Sequence, residues 1–188
     1  HAAPMAVVFF LSAPFLLGGA AWSETRHFSG WRELSVTSEI TVPGSPEQAW
    51  RALEEIETVE GERSWMHAVG LPIPTSCELT GSGVGSRRVC VMADGDEIRQ
   101  VITAWDFPNR FEMDVTDTTL HGRKWLKIEG ASYDFFLSED GSETRVVRVS
   151  TISSTLGPAF YWRYWERKTL EAEHRLVLSH LEREVHGE

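Results

Sequence analysis

The chain has 188 residues, enough for one domain with a sizeable core and too few for two. Its 28 acidic and 18 basic residues give a formal charge of −10. That argues against a nucleic-acid partner, because phosphate neutralisation needs clustered Lys and Arg, and here only Arg87-Arg88, Arg123-Lys124 and Arg167-Lys168 adjoin. Two cysteines cannot make a disulfide framework or a four-cysteine zinc site, whereas eight tryptophans are more than ordinary core filling explains.

Residues 1–22 stand apart from the rest. Ala2 to Trp22 carries no charge and is long enough to cross a bilayer, although Pro4 and Pro14 interrupt an ideal helix. Three readings stay open: a membrane-spanning or anchoring segment, a signal-peptide remnant with Gly19-Ala20-Ala21 as its small-residue region, or an apolar arm packed on the domain. Under the first, Trp22 suits an interface anchor, and Arg26 and Arg32 favour a cytoplasmic domain; under the second, the domain is exported. Residues 23–32 read as a polar linker to a domain over 33–188.

Glu33 to Val42 alternates, with Leu34, Val36, Ile40 and Val42 on one face, and predicts a strand that Pro43-Gly44 ends. Ser45-Pro46-Glu47-Gln48 has capping-box spacing and opens a helix whose apolar face is Ala49, Trp50, Leu53 and Ile56. Glu54, Glu55, Glu57 and Glu60 form its solvated side. A second short helix is expected around Ser64-Trp65-Met66-His67, before the stiff Leu71-Pro72-Ile73-Pro74. Six strands follow, over Ser76–Thr80, Arg87–Met92, Glu97–Trp105, Arg110–Val115, Trp125–Leu137 and Thr144–Ser153. The turns between them, such as Asp94-Gly95 and Asp140-Gly141, are short enough to make neighbours antiparallel. Gly157-Pro158 then introduces a segment free of Pro and Gly from Ala159 to Val185, predicted as one long helix. Tyr161, Trp165, Thr169, Ala172 and Leu176 fall on one face, with Trp162 at its margin, and Leu170, Val177, Leu181 and Val185 on a nearly opposite one. A helix with two apolar faces needs cover on both sides, and a curled antiparallel sheet of seven strands supplies it. The fold class is therefore α+β: a seven-stranded curved sheet wrapped around a C-terminal helix, with two short helices after the first strand.

Four stretches carry a family resemblance. They are Ile40 to Trp50 (strand, small-residue turn, helix with a tryptophan), Gly81 to Arg88 (glycine turn and arginine-bearing strand), Val101 to Phe111 (tight hairpin) and the closing helix. In order and spacing they resemble the START/Bet v 1-like (SRPBCC) superfamily of helix-grip proteins, and within it the polyketide cyclase/dehydrase branch. The resemblance spans about Leu34 to Val185. It implies a pocket for lipids, sterols, hormones or polyketides, in a family of both binders and enzymes, so fold alone does not fix function.

Strand alternation and the helix faces propose the lining of such a pocket: Gln100 and Ile102, Met113, Tyr133 and Phe135, and on the helix Trp162, Trp165 and Thr169, with Trp65 at the mouth. Each apolar member has core packing as its plain alternative. Arg88 shares a face with Cys90 and Met92. Inside an apolar cup its charge is costly unless paired, and a ligand carboxylate or phosphate would pair it; the alternative is a rim or internally paired arginine. His67, Arg88 and Tyr133 are the candidate catalytic groups, His67 because an imidazole exchanges protons near neutral pH.

No metal or cofactor is expected. Glu171-x-x-His174 has the spacing of a ligand pair but lacks a second pair, and reads as solvated helix surface. Gly81-Ser82-Gly83-Val84-Gly85 lacks the Lys-Ser/Thr of a phosphate loop. Cys77 and Cys90 sit nearly opposite across the hairpin and are read as thiols, with a disulfide as the alternative in an oxidising compartment. The functional expectation is binding of a hydrophobic small molecule or lipid by a membrane-tethered domain. A cyclase/aromatase-like enzyme is the alternative, and the oligomeric state is open.

Overall fold

Period-two apolar runs broken by turn residues become seven strands in the computed structural model, which describes residues 30–54, 56, 58–120 and 124–187. These are β1 (Arg32–Pro43), β2 (Pro74–Thr80), β3 (Arg87–Met92), β4 (Glu97–Asp106), β5 (Arg110–Thr118), β6 (Leu126–Leu137) and β7 (Glu143–Ser154). They form one curved antiparallel sheet in the order β1-β7-β6-β5-β4-β3-β2. Helices α1 (Pro46–Glu54) and α2 (Trp65–Ala68) follow β1, and α3 (Ala159–His186) closes the chain against the sheet. This is the helix-grip fold expected from the sequence. The apolar segment 1–22, the linker up to residue 29, Glu55 and Glu57 of the first helix's polar side, and Arg123 lie outside the described residues. Among the described residues no helix is long and apolar enough to cross a membrane.

Local chemistry sets the element ends. Ahead of α1 the Ser45 N–H donates to Gln48 Oε1 at 2.9 Å, one half of the expected capping box. Ile56, assigned to that helix by its spacing, instead lies past its end and pairs with Cys77 in an isolated bridge. At α2 the Met66 N–H donates to Ser64 Oγ at 3.3 Å and the Ser64 N–H to His67 Nδ1 at 3.0 Å. Gly187 ends α3 in the left-handed conformation, at φ 74°.

Two arrays of contacts fix α3. Along β1, Arg163 Nη2 donates to the Glu33 carbonyl at 2.8 Å, and Arg32 donates to the carbonyl of Leu156 just ahead of the helix. On the other side, the Glu60 N–H donates to His180 Nδ1 at 3.3 Å and the Glu62 N–H to Ser179 Oγ at 2.6 Å. Gly61 lies between them, and a Cβ there would collide with the Leu176 carbonyl oxygen, so only glycine lets this loop cross the helix.

His174 corrects an expectation. Read as solvated surface, it is fully buried, with Nδ1 2.8 Å from Ser38 Oγ on β1 and Nε2 2.8 Å from Ser150 Oγ on β7. Burial, then the nearby Arg148 charge, pushes its pKa down to about 2, so the ring is a neutral clamp. Glu171 points away and pairs with Lys168 at 2.7 Å. The cysteine reading is also corrected: Cys77 and Cys90 are direct partners in the β2–β3 register and are joined as a disulfide.

The main core centres on Trp50, whose ring centroid lies 5.2–5.5 Å from those of Trp105, Phe107, Phe111 and Phe135. Leu176 and Leu181 of α3 are fully buried in the same cluster. A smaller cluster joins Leu34, Val36 and Ile152 to Leu170. Between the two, sheet and helix part.

Candidate functional site

The space left between the sheet and α3 is a cavity of about 530 Å³. Its wall on the sheet comes from inward positions of β2 to β7, and small side chains keep it hollow: Gly130, Ala131 and Ser150 all line it. Gly130 also marks a close approach, since a Cβ there would meet the Met113 carbonyl oxygen of the neighbouring strand. The helix contributes the stripe Trp162, Glu166, Thr169 and Glu173, flanked by Trp165, Leu170 and Val177. That stripe runs between the two faces expected from the sequence, so Leu170 and Val177, assigned to sheet packing, border the cavity as well. Leu176, assigned to the tryptophan face, is core.

The mouth is aromatic. Trp65 on α2 is 62 % exposed and meets Trp165 edge-on at 6.4 Å between centroids. Trp125 and Trp162 complete the rim, and Trp162 is held by its Nε1–H donating to the Gly157 carbonyl at 3.0 Å. Phe160, Tyr161 and Tyr164 continue the exposed aromatic surface along the first turns of α3.

The far end is polar and buried. Arg88 and Arg148 are 5 % and 6 % exposed, and Tyr133 is buried between them and the aromatic core. Arg148 Nη2 donates to Glu173 Oε1 at 2.7 Å and its guanidinium carbon lies 5.3 Å from the Tyr133 ring centre. Arg88 donates to the Leu53 carbonyl at 3.1 Å and to Gln100 Oε1 at 3.3 Å, with Met113 Sδ 3.6 Å away. Burial lowers the pKa of Arg88 and raises that of Tyr133. Burial also works against the Arg148 charge, but Glu173 and Tyr133 together outweigh it and its pKa is raised.

Of the residues expected in the pocket, Trp65, Arg88, Gln100, Met113, Tyr133, Trp162, Trp165 and Thr169 line this cavity. Ile102 and Phe135 do not: both are buried in the main core, Phe135 against Trp50, because inward-pointing positions further along a strand meet the packed end of the space. His67 is not part of the lining either; its ring is tied back to Ser64 at the start of α2. Sequence reading missed Arg148, Ser150, Glu166 and Glu173. The signal was present, since Arg148 and Ser150 alternate in step with Val146 and Ile152, and Glu166 and Glu173 follow Trp162 and Thr169 by one helical turn each. Among the described residues no group of three His, Cys, Asp or Glu side chains could hold a metal ion.

Fold and cavity together define a helix-grip protein with one continuous apolar chamber, open at an aromatic rim and closed by a pair of buried arginines. Residues 33–186 match the family described as polyketide cyclase / dehydrase and lipid transport. The chain belongs to that family, and with it to the START/Bet v 1-like superfamily. Among solved structures it is similar to TTHA0849 from Thermus thermophilus, at 19% identity and a TM-score of 0.56 over 82% of this chain and 98% of that one. It is also similar to Ara h 8.0201, at 16% identity and a TM-score of 0.50 over 84% of this chain and 100% of that one. At such identities the likeness is one of fold. The chain matches none of the curated proteins.

Proposed function

We propose that this protein holds a hydrophobic small molecule or lipid between its sheet and α3, and that residues 1–22 tether it to a membrane. The observation that carries the first part is the open chamber of about 530 Å³, whose wall is mostly apolar and whose rim is aromatic. The family description, which includes lipid transport, supports hydrophobic ligands in general. Burying about 300 Å² of apolar ligand is worth roughly 7 kcal/mol before association costs, so micromolar or weaker binding is expected.

The tether is supported by the uncharged stretch Ala2–Trp22 and by where the chain enters the domain. Arg32 and Glu33 are bonded to Leu156 and Arg163, so β1 begins beside the first turns of α3. The aromatic rim and the exposed Trp31, Phe160, Tyr161 and Tyr164 belong to this same end. A membrane held there faces the mouth, and tryptophan and tyrosine suit the headgroup level.

Native mass spectrometry of the protein after incubation with a lipid and sterol panel tests the cavity reading: a one-to-one adduct is expected, and no adduct with any guest would remove it. Flotation of the full chain with lipid vesicles tests the tether, which a chain left at the bottom of the gradient would exclude while leaving the cavity untouched.

A further inference from the structure

We infer that the closed end of the cavity is a recognition site for the anionic head of an amphiphile, a carboxylate or a group of the same shape and charge. This deepens the hydrophobic-ligand reading and rests on it. Two guanidinium groups, each more than nine-tenths buried, line one chamber. Their internal partners do not balance them. Arg148 has Glu173, but among the described residues Arg88 donates only to neutral acceptors: a carbonyl, an amide oxygen and a thioether. Arg88 Nε, Arg148 Nε and Arg148 Nη1 find no acceptor among the described residues.

A structural role alone accounts poorly for this arrangement. A buried ion pair with every donor satisfied can hold a fold together, but each unmet buried donor is destabilising, and two buried cations sharing one carboxylate are more so. The other carboxylate of the wall does not repair the deficit. Glu166 is engaged with Ser154 Oγ and lies seven residues before Glu173, roughly 10 Å along the helix. An incoming carboxylate supplies what is missing, since it accepts several hydrogen bonds at once and suits the flat fork of a guanidinium. Tyr133 adds a phenol to the same wall. The apolar body of the ligand then fills the chamber toward the tryptophan rim. A lone inorganic anion would reach the arginines but leave the chamber empty, so head and body must come together.

The test uses two probes of one shape, naphthalene-2-carboxylate and naphthalene-2-carboxamide. Each is titrated calorimetrically into the full chain held in zwitterionic nanodiscs, with empty discs as the blank. The carboxylate is expected to bind about tenfold or more tightly than the amide, the worth of one charge-assisted hydrogen bond. Arg88→Met and Arg148→Met should each cut that preference, weakening the carboxylate more than the amide, because the charge-assisted bond is lost only for the carboxylate. Equal binding of the two probes to the wild-type protein overturns the inference and leaves the hydrophobic cavity standing; this comparison needs no variant to fold. A preference that survives in both variants, once each is shown to be folded, places the anion elsewhere and also overturns it. Failure of both probes to bind also overturns the inference, whereas the cavity reading falls only if the lipid and sterol panel leaves no adduct.

Discussion

At one end of the space under the sheet, Trp50 is buried among Trp105, Phe107, Phe111 and Phe135. At the other, Trp65, Trp125, Trp162 and Trp165 surround an opening. The residue type is the same and the outcome is opposite. The closed end has the nine-residue α1 above it, and Ala49, Trp50 and Leu53 on one face of that helix reach a wall of large aromatics. The open end has only the four-residue α2, whose Trp65 points outward, and a wall that includes Gly130, Ala131 and Ser150. Whether a tryptophan is core or rim is thus decided by what stands opposite it.

The sharpest way to break this comparison is to remove one indole from each end. Trp50→Ala should cost about 3–5 kcal/mol of unfolding free energy, as expected for a large aromatic lost from a packed site. Trp165→Ala should cost clearly less, and show instead as faster loss of a bound guest. Chemical denaturation of both variants, with guest release measured by native mass spectrometry, gives the two readouts. Equal destabilisation would mean that the two ends are one core.

How far the sequence could carry this distinction follows from its physics. Alternation along a strand tells which face a side chain points to, and it placed Tyr133 and Phe135 together correctly. It does not tell how far along the chamber each lies. These two residues are about 7 Å apart, and that step separates cavity wall from packed core. The strands, their antiparallel order and the long helix were legible because turn chemistry and period are local. Of the chamber's charged end the sequence showed Arg88; Arg148 and Glu173 carried the right spacing, but spacing alone does not separate them from surface residues until the fold brings them face to face. His174 is the same case: its partners Ser38 and Ser150 are 136 and 24 residues away.

His174 also allows a smaller test of the packed side of the helix. Burial first, then Arg148, depresses its folded pKa from 6.5 to about 2. The unfolded chain therefore takes up the proton first as pH falls. The contribution is fully present above pH 6.5 and is lost progressively below it, at up to about 1.4 kcal/mol per pH unit. The neutral ring is expected because Arg148 and the two serine hydroxyls leave no counter-charge on it. Denaturation midpoints of wild type and His174→Gln between pH 8 and 4.5 should therefore diverge in slope below about 6.5, with the variant less acid-sensitive. Parallel curves would show that folding does not lower the pKa of this imidazole.

The smallest stability effect is expected at the rim, where function should respond most. Trp65 is 62 % exposed and touches Trp165 only edge-on, so Trp65→Ala should change stability by no more than about 0.5–1 kcal/mol. Its indole stands at the mouth, on a helix of a single turn. Removing it should therefore raise both entry and exit rates while leaving equilibrium affinity nearly constant, because the buried contacts of the bound guest lie deeper. Stopped-flow exchange of the naphthalene-2-carboxylate probe separates the two: a weakened affinity with unchanged entry would make Trp65 part of the bound-state wall and not of the gate.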